Sequence, residues 1–462
     1  MLMLHSHSSS LSSGLPLAVS SRVSRRAFLK ASLAATGVAA LGRGPLVLGA
    51  VREGGKLGVA VIGAGGMGGY SMDEALRENL VAIADVDDNV IASVMKDKVK
   101  DQAKPKVFHD YRKLLDECRR DLDVVLIATP DHHHAPAAIR AINDGKHVFC
   151  QKPLAHNIRE CRVLAEAARQ KNLCTQMGNQ GYCGEEIRRV AEYVAAGAIG
   201  NVLESHTILG RNFGGKGGRP PGKPVPANLH WDEWLGPAPF REFHDGLHPF
   251  NWRSWRAFGT GTIGDMACHH VAMPFMALRL WEVKRFTLEC LNTTGGSDEM
   301  YPQDNVVCYQ IPAREKFPAC KVFVYDHDGL KPDIMKETEK KEERKFGEFT
   351  LFVGEKGLLG SDGHLIPQAA HDQFPRPAKT LPRARDGSPV QDLYWCIRNG
   401  GKPASNFPEA AGPLTSIALA GHLAQFAGKG SKLEWDVEKM QCTNLPEINR
   451  YVRRDYRPGW EV

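Results

Sequence analysis

The chain has 462 residues, enough for two domains with sizeable cores. Its +6 formal charge is concentrated at the start: residues 1–50 hold Arg22, Arg25, Arg26, Lys30 and Arg43 with no Asp or Glu, and the remainder is nearly neutral. That balance leaves no basic stripe for nucleic acid, and no window reaches the roughly 18 apolar residues of a stable membrane span.

In chain order, Ser24-Arg25-Arg26-Ala27-Phe28-Leu29-Lys30 precedes a short Ala-rich apolar run, Ala31 to Leu41. Paired arginines before such a run have the look of a twin-arginine signal, and the run is too short to span a bilayer. Residues 1–50 are read as this signal segment, with Leu48-Gly49-Ala50 as a small-residue cleavage site and an uncleaved anchor as the alternative. The protein is therefore expected to use the twin-arginine export machinery and to work in the periplasm or elsewhere outside the cytoplasm. That route moves folded proteins, so a cofactor can be loaded before export.

Residues 55–178 alternate short apolar runs with amphipathic stretches. Gly58–Ile62, Val81–Ala84, Val124–Ala128, His147–Cys150 and Leu173–Met177 read as buried strands. Met67–Glu78, Asn89–Val99, Ala135–Asp144 and Ile158–Lys171 read as the helices between them. This pattern predicts βαβ units and a doubly wound parallel sheet.

Residues 179–462 change character. A helix is expected at Glu185–Ala196, and strands at Val202–Leu209, Arg285–Leu291, Val306–Ile311, Lys321–Tyr325 and Phe349–Val353. Gly354-Glu355-Lys356-Gly357 has the look of a hairpin turn, Lys336–Lys345 reads as a solvated charged stretch, and Gly412–Ala427 is the last clear helix. The second domain is expected to be α/β with a large, mostly antiparallel open sheet. Arg211 to Thr262 is a long Gly/Pro-rich stretch carrying Trp231, Trp234, Trp252 and Trp255. That much aromatic surface argues against disorder and for an ordered loop packed over a site. The eleven cysteines show no CxxC spacing and are expected to be mostly buried apolar residues.

The residues able to carry chemistry gather at the predicted strand ends. Gly63-Ala64-Gly65-Gly66-Met67-Gly68 follows an apolar strand and opens a helix, as a dinucleotide-binding turn requires. Gly63 permits the turn, Gly65 lets the backbone approach a pyrophosphate, and Gly68 lets helix and strand pack closely. Asp85 ends the next strand, where a carboxylate accepts ribose hydroxyls and repels a 2′-phosphate, favouring NAD over NADP. Thr129, Pro130 and the run His132-His133-His134 follow the third strand; one or two of these histidines, His134 among them, are expected to cap the helix or touch the cofactor. Gln151-Lys152-Pro153 follows the fourth strand, placing Lys152 near both nicotinamide and substrate. In Gly264-Asp265-Met266-Ala267-Cys268-His269-His270, Asp265 and His269 share a helix face, and a histidine there suits removal of a hydroxyl proton. A metal bound by His244, His248, Asp265 and His269 is geometrically possible, but the acid–base reading is preferred and no metal is expected.

The combination of GAGGMG, ADVD, ATPDHHH, QKPL and GDMACHH resembles the Gfo/Idh/MocA family, named for glucose–fructose oxidoreductase and inositol dehydrogenase, from about residue 55 to the end. The segments around Trp231–Pro239 and Asn251-Trp252-Arg253 look like those of an exported bacterial subgroup. The resemblance implies a Rossmann domain plus an α/β domain whose sheet serves homo-oligomers, here a dimer or tetramer, and a carbohydrate or cyclitol substrate. It places the family lysine on Lys152 and the DxxxH pair on Asp265 and His269, with substrate contacts expected from Asn179, Trp252, Arg253 and His270. Gln151 stands where Glu is common, and Ala272 where an Asp often follows the histidine. Two activities follow: an NAD-dependent sugar oxidoreductase with tightly held cofactor, favoured here, or an NAD-dependent glycoside hydrolase working by transient oxidation and elimination.

Overall fold

A computed structural model describes residues Gly55–Val462 except Gly347 and Asp386, so the expected signal segment lies outside the described residues. Among the described residues, no helix is long and apolar enough to cross a membrane.

Six strands form the first sheet: β1 (Gly58–Ile62), β2 (Asn79–Ala84), β3 (Lys106–Phe108), β4 (Val124–Ile127), β5 (His147–Cys150) and β6 (Thr175–Met177). All are parallel, in the order β3-β2-β1-β4-β5-β6. The order reverses between β1 and β4, which opens a crevice at their carboxyl ends. β1 and β4 are buried along their whole length because both faces of the sheet are covered. Ala60, Ile62, Val125 and Ile127 point into the main core. Val59, Val61, Val124 and Leu126 point the other way, against Met72 and Ala75 of helix Gly68–Ala75 and Val390, Leu393 and Tyr394 of helix Pro389–Asn399.

Three of these elements escaped the sequence reading. β3 and the helix Tyr111–Glu117 were not expected; β3 is a three-residue edge strand without a burial pattern, and the helix is capped by Asp110, which accepts from the Arg112 N–H at 2.8 Å. The helix Pro389–Asn399 comes from late in the chain and covers a face of the first sheet that nothing local identifies.

The second sheet has nine strands: β7 (Val202–Ile208), β8 (Arg285–Thr294), β9 (Gln303–Ile311), β10 (Cys320–Tyr325), β11 (Thr350–Gly354), β12 (Gly357–Gly360), β13 (Leu365–Ile366), β14 (Lys432–Asp436) and β15 (Gln441–Cys442). Their order is β13-β12-β11-β7-β10-β9-β8-β14-β15, antiparallel except where β7 meets β10. The predicted turn joins β11 to β12, with Gly354 opposite Gly357. The charged stretch is in part a helix, Asp333–Lys341.

The helix Gly412–Ala427 is apolar on nearly every side and largely buried, as a helix enclosed by other elements must be. It packs against helices Ile158–Gln170 and Gly261–His270 and against β8 and β9. Gly421 is its point of closest approach to β9: a Cβ there would lie 2.4 Å from the Tyr309 hydroxyl, which itself is buried and donates to the Ala418 carbonyl at 3.4 Å. We expect Gly421→Ala to destabilise the fold by about 1–3 kcal/mol in urea unfolding, overpacking outweighing the better helix propensity of alanine. The loss should shrink in a Tyr309→Phe background, which removes the clashing oxygen.

Candidate active site

The crevice at the β1/β4 reversal continues into a cleft walled by the glycine turn, the ends of β2, β4 and β5, and the tryptophan-rich insertion. Gly63 has φ +82°, and a Cβ on it would meet the Ala128 carbonyl oxygen at 2.7 Å. A Cβ on Gly68 would lie 2.1 Å from the Gly63 oxygen, so helix and strand meet there as expected. A Cβ on Gly65 would press on Val90 at 3.2 Å, a packing demand the sequence did not disclose. The N–H groups of Gly66 and Met67 find no partner among the described residues. Free N–H groups in a glycine turn are what a pyrophosphate needs, so this turn fits a dinucleotide.

Asp85 lines the same cleft but is already engaged: Oδ2 accepts from Ala64 N–H at 2.7 Å and Gly65 N–H at 3.3 Å, and Oδ1 from Asp87 N–H at 3.0 Å. Its carboxylate therefore shapes the glycine turn as well as facing the ribose position. Burial pushes its pKa up in spite of these donors. Thr129 and Pro130 line the cleft as expected.

The three histidines serve the main chain. His134 does not line the cleft: its Nδ1 lies 2.7 Å from the Pro153 carbonyl and its Nε2 2.9 Å from that of Thr129, and burial holds its pKa down to about 4. The expected cofactor contact is thus replaced by a tie between the β4 and β5 loops. His132 and His133 both direct Nε2 at the Trp234 carbonyl, at 3.0 and 2.9 Å, fastening the insertion to the start of helix Asp131–Asn143.

At the β5 end, Lys152 Nζ lies 3.1 Å from Asp265 Oδ1 and 3.2 Å from the Asp265 carbonyl. Arg253 Nε is 3.3 Å from the same Oδ1, while its guanidinium stacks on Trp252 at 4.2 Å. Arg253 therefore braces Asp265, and Trp252 forms wall beside it. His269 lies one helical turn beyond Asp265 and, like His270, is not among the residues that line the cleft; its ring nitrogens have no hydrogen-bond partner among the described residues. Burial, then the Lys152 charge, hold its pKa down to about 3, so the imidazole is neutral near pH 7. Asn179 is fully buried; its Nδ2 donates to the Cys268 carbonyl at 3.2 Å and its Oδ1 is unpartnered. His270 points elsewhere, to Glu348 at 3.6 Å, and does not line the cleft. Gln151 lines the cleft with both side-chain polar atoms buried and unpartnered.

The four-residue metal set considered above is dispersed. His244 accepts from Arg241 at 2.8 Å, His248 meets Asp87 at 3.1 Å, and Asp265 is held by Lys152 and Arg253.

Asp131, Trp460 and the Thr260–His422 pair were missed by the sequence reading. Asp131 stands in a quoted motif, yet nothing local shows that Thr260 Oγ1 donates to its Oδ2 at 2.7 Å or that Asp265 is its electrostatic neighbour. Trp460 reaches the cleft from the C-terminal tail, beneath the Arg112 guanidinium at 3.7 Å.

These features coincide with known proteins. Residues 57–179 match a model of the Gfo/Idh/MocA oxidoreductase family described as its NAD-binding Rossmann fold, and residues 187–278 match the model of its C-terminal α/β domain. The chain belongs to this family. It is 29% identical over 165 residues to levoglucosan dehydrogenase of Pseudarthrobacter phenanthrenivorans, covering 36% of this chain and 34% of that one. It is 37% identical over 130 residues to α-N-acetylgalactosaminidase of Shewanella oneidensis, covering 27% and 28%. The matched stretch thus spans about a third of each relative or less. The aldose–aldose oxidoreductase of Caulobacter crescentus shares the fold, with a TM-score of 0.54 at 16% identity over 82% of this chain and 100% of that one.

Asp131 sets a pH dependence. Burial, then the charge of Asp265, push its pKa from 3.8 to about 7. A carboxyl favoured in its protonated form by folding stabilises the native state below its unfolded pKa and loses that contribution as pH rises to about 7. Asp131→Asn should therefore gain stability relative to the native protein at pH 8 more than at pH 4, as read by urea midpoints at the two pH values.

Proposed function

We propose that this protein is an NAD-dependent oxidoreductase that moves hydride to or from a ring carbon of a sugar, sugar derivative or cyclitol. The observation that carries the reading is the Lys152–Asp265 contact at the ligand edge of the parallel sheet, with the neutral His269 one turn further along the same helix. When bound along the glycine turn and Asp85, NAD supplies a hydride acceptor. The chain's own residues handle the proton. Asp265 holds the Lys152 ammonium, whose remaining N–H bonds can orient a substrate hydroxyl. A free ring nitrogen of His269 then takes the hydroxyl proton as the C–H bond breaks. Trp252 and Trp234 wall the cleft against water.

Export by the twin-arginine route and work outside the cytoplasm belong to the same proposal, supported by Arg25-Arg26 and the apolar run after them, and assembly as a homo-oligomer joins it through the family resemblance alone. A cofactor used there must dissociate slowly, and the insertion is placed to hinder its escape. The likeness to a Shewanella glycosidase supports a second reading: oxidation acidifies a neighbouring C–H bond, elimination breaks the glycosidic bond, and hydride returns after water adds.

Lys152→Ala and His269→Ala should each lower turnover by about 10²–10⁴-fold while the fold and bound cofactor persist. Near-native turnover in either variant would remove that residue from the mechanism. To separate the two activities, extensively dialysed protein is incubated with a panel of glycosides and free sugars without added NAD, following both sugar release and cofactor absorbance. Net reduction of retained cofactor by a sugar is expected; sugar release without net reduction would favour the glycosidase, and neither change would refute both.

A further inference from the structure

Beside the Asp85 end of the cleft, three side chains from separate segments converge. Asp88 opens the helix Asp88–Val94, His109 follows β3, and His230 precedes the short helix Trp231–Leu235 of the insertion. Asp88 Oδ1 lies 3.4 Å from His230 Nε2 and 3.5 Å from His109 Nε2, and all three ligand atoms lie within 4.8 Å of one another. These distances are long for charge-assisted hydrogen bonds, which run about 2.7–2.9 Å. They match the edge of a tetrahedron: ligand atoms each about 2.0–2.1 Å from a zinc ion stand about 3.3–3.4 Å apart.

The tautomer is also set for coordination. His109 Nδ1 faces the Asp85 carbonyl at 3.1 Å, so that nitrogen carries the proton and Nε2 keeps its lone pair for the cluster. The backbone holds the segments together without any ion: Asp88 N–H donates to the Asn228 carbonyl and His230 N–H to that of Val86, both at 2.9 Å. The His109 and His230 rings are stacked, with centroids 3.6 Å apart and planes 13° from parallel. A shared ion lies near the plane of each ring it bonds, so a ring must tilt about its Cβ–Cγ bond on binding. Both side chains are 36% exposed, which leaves that rotation open.

We propose that Asp88, His109 and His230 bind one divalent cation of the zinc class, clamping the insertion to the β2 edge of the nucleotide cleft. Two imidazoles and a carboxylate suit such a borderline cation. The site is independent of which sugar the cleft accepts.

The test uses the full chain without a histidine tag, dialysed against chelator and titrated with Co²⁺ alone, followed by visible absorption and Tm. One saturable band at one Co²⁺ per chain is expected, displaced by Zn²⁺, with a rise in Tm. His230→Ala and Asp88→Asn should each weaken binding by at least about tenfold. His371→Ala, in the separate stacked pair His364–His371, should leave it unchanged. Asp88→Asn is isosteric and half-exposed, so loss of binding at an unchanged metal-free Tm reports a lost ligand. Equal binding by the native chain and both variants would mean an adventitious ion only and would overturn the site, as would no band at millimolar Co²⁺.

Discussion

The arrangement depends on the burial of one apolar helix, Gly412–Ala427, between the two sheets. A single residue on it shows how: Thr415 Oγ1 lies 3.4 Å from the Leu154 N–H, 3.6 Å from Cys268 Sγ and 3.6 Å from Met177 Sδ. Those three residues stand beside Lys152, between Asp265 and His269, and just before Asn179. One turn of helix thus references the β5 loop, the Asp265 helix and the end of β6 to one another. Further along, His422 Nε2 donates to the Thr260 carbonyl at 2.7 Å, and Thr260 Oγ1 in turn donates to Asp131. Catalytic geometry tolerates little slack, and a packed apolar helix resists displacement in every direction.

Electrostatics inside the cleft follow from that enclosure. Lys152 and Arg253 face Asp265, with Asp131 nearby, so two cations and two carboxyls share a space largely shut off from water. Removing water raises the cost of each unpaired charge. Asp131 responds by favouring its protonated form and His269 by staying neutral. The same enclosure keeps the imidazole unprotonated with its lone pair free, while burial and the Lys152 charge make it a weaker base than a solvated histidine.

The insertion supplies the remaining wall and carries its own core. Trp231 and Trp234 stack with centroids 4.7 Å apart, and Leu229, Phe243, Leu247, Trp252, Trp255 and Phe258 complete a cluster separate from the main one. Its aromatic content was the readable sign of order. Its attachment was not: the carbonyl of Trp234 meets two consecutive histidines whose place after β4 had invited a capping or cofactor reading. Side chains adjacent in sequence diverge at a helix start, and only the insertion brings them a common partner.

From sequence alone came whatever depends on local pattern. Strand runs with few polar interruptions placed β1, β4 and β5 within a residue of their observed ends, since strands buried on both faces must be apolar throughout. The glycine turn, Asp85, Lys152 and the Asp265–His269 spacing were legible because backbone sterics and helix periodicity tie them to nearby residues. The tertiary structure decided what depends on partners far along the chain. It turned His134 from cofactor to backbone, sent His270 to Glu348, set Arg253 against Asp265, brought Trp460 to the cleft and covered the first sheet with the helix Pro389–Asn399. These contacts span from 5 residues, between His134 and Thr129, to more than 300 at the C-terminal tail. A side chain's neighbours are chosen by packing across the whole core, and sequence spacing carries that information only within a turn of helix or a pair of strands.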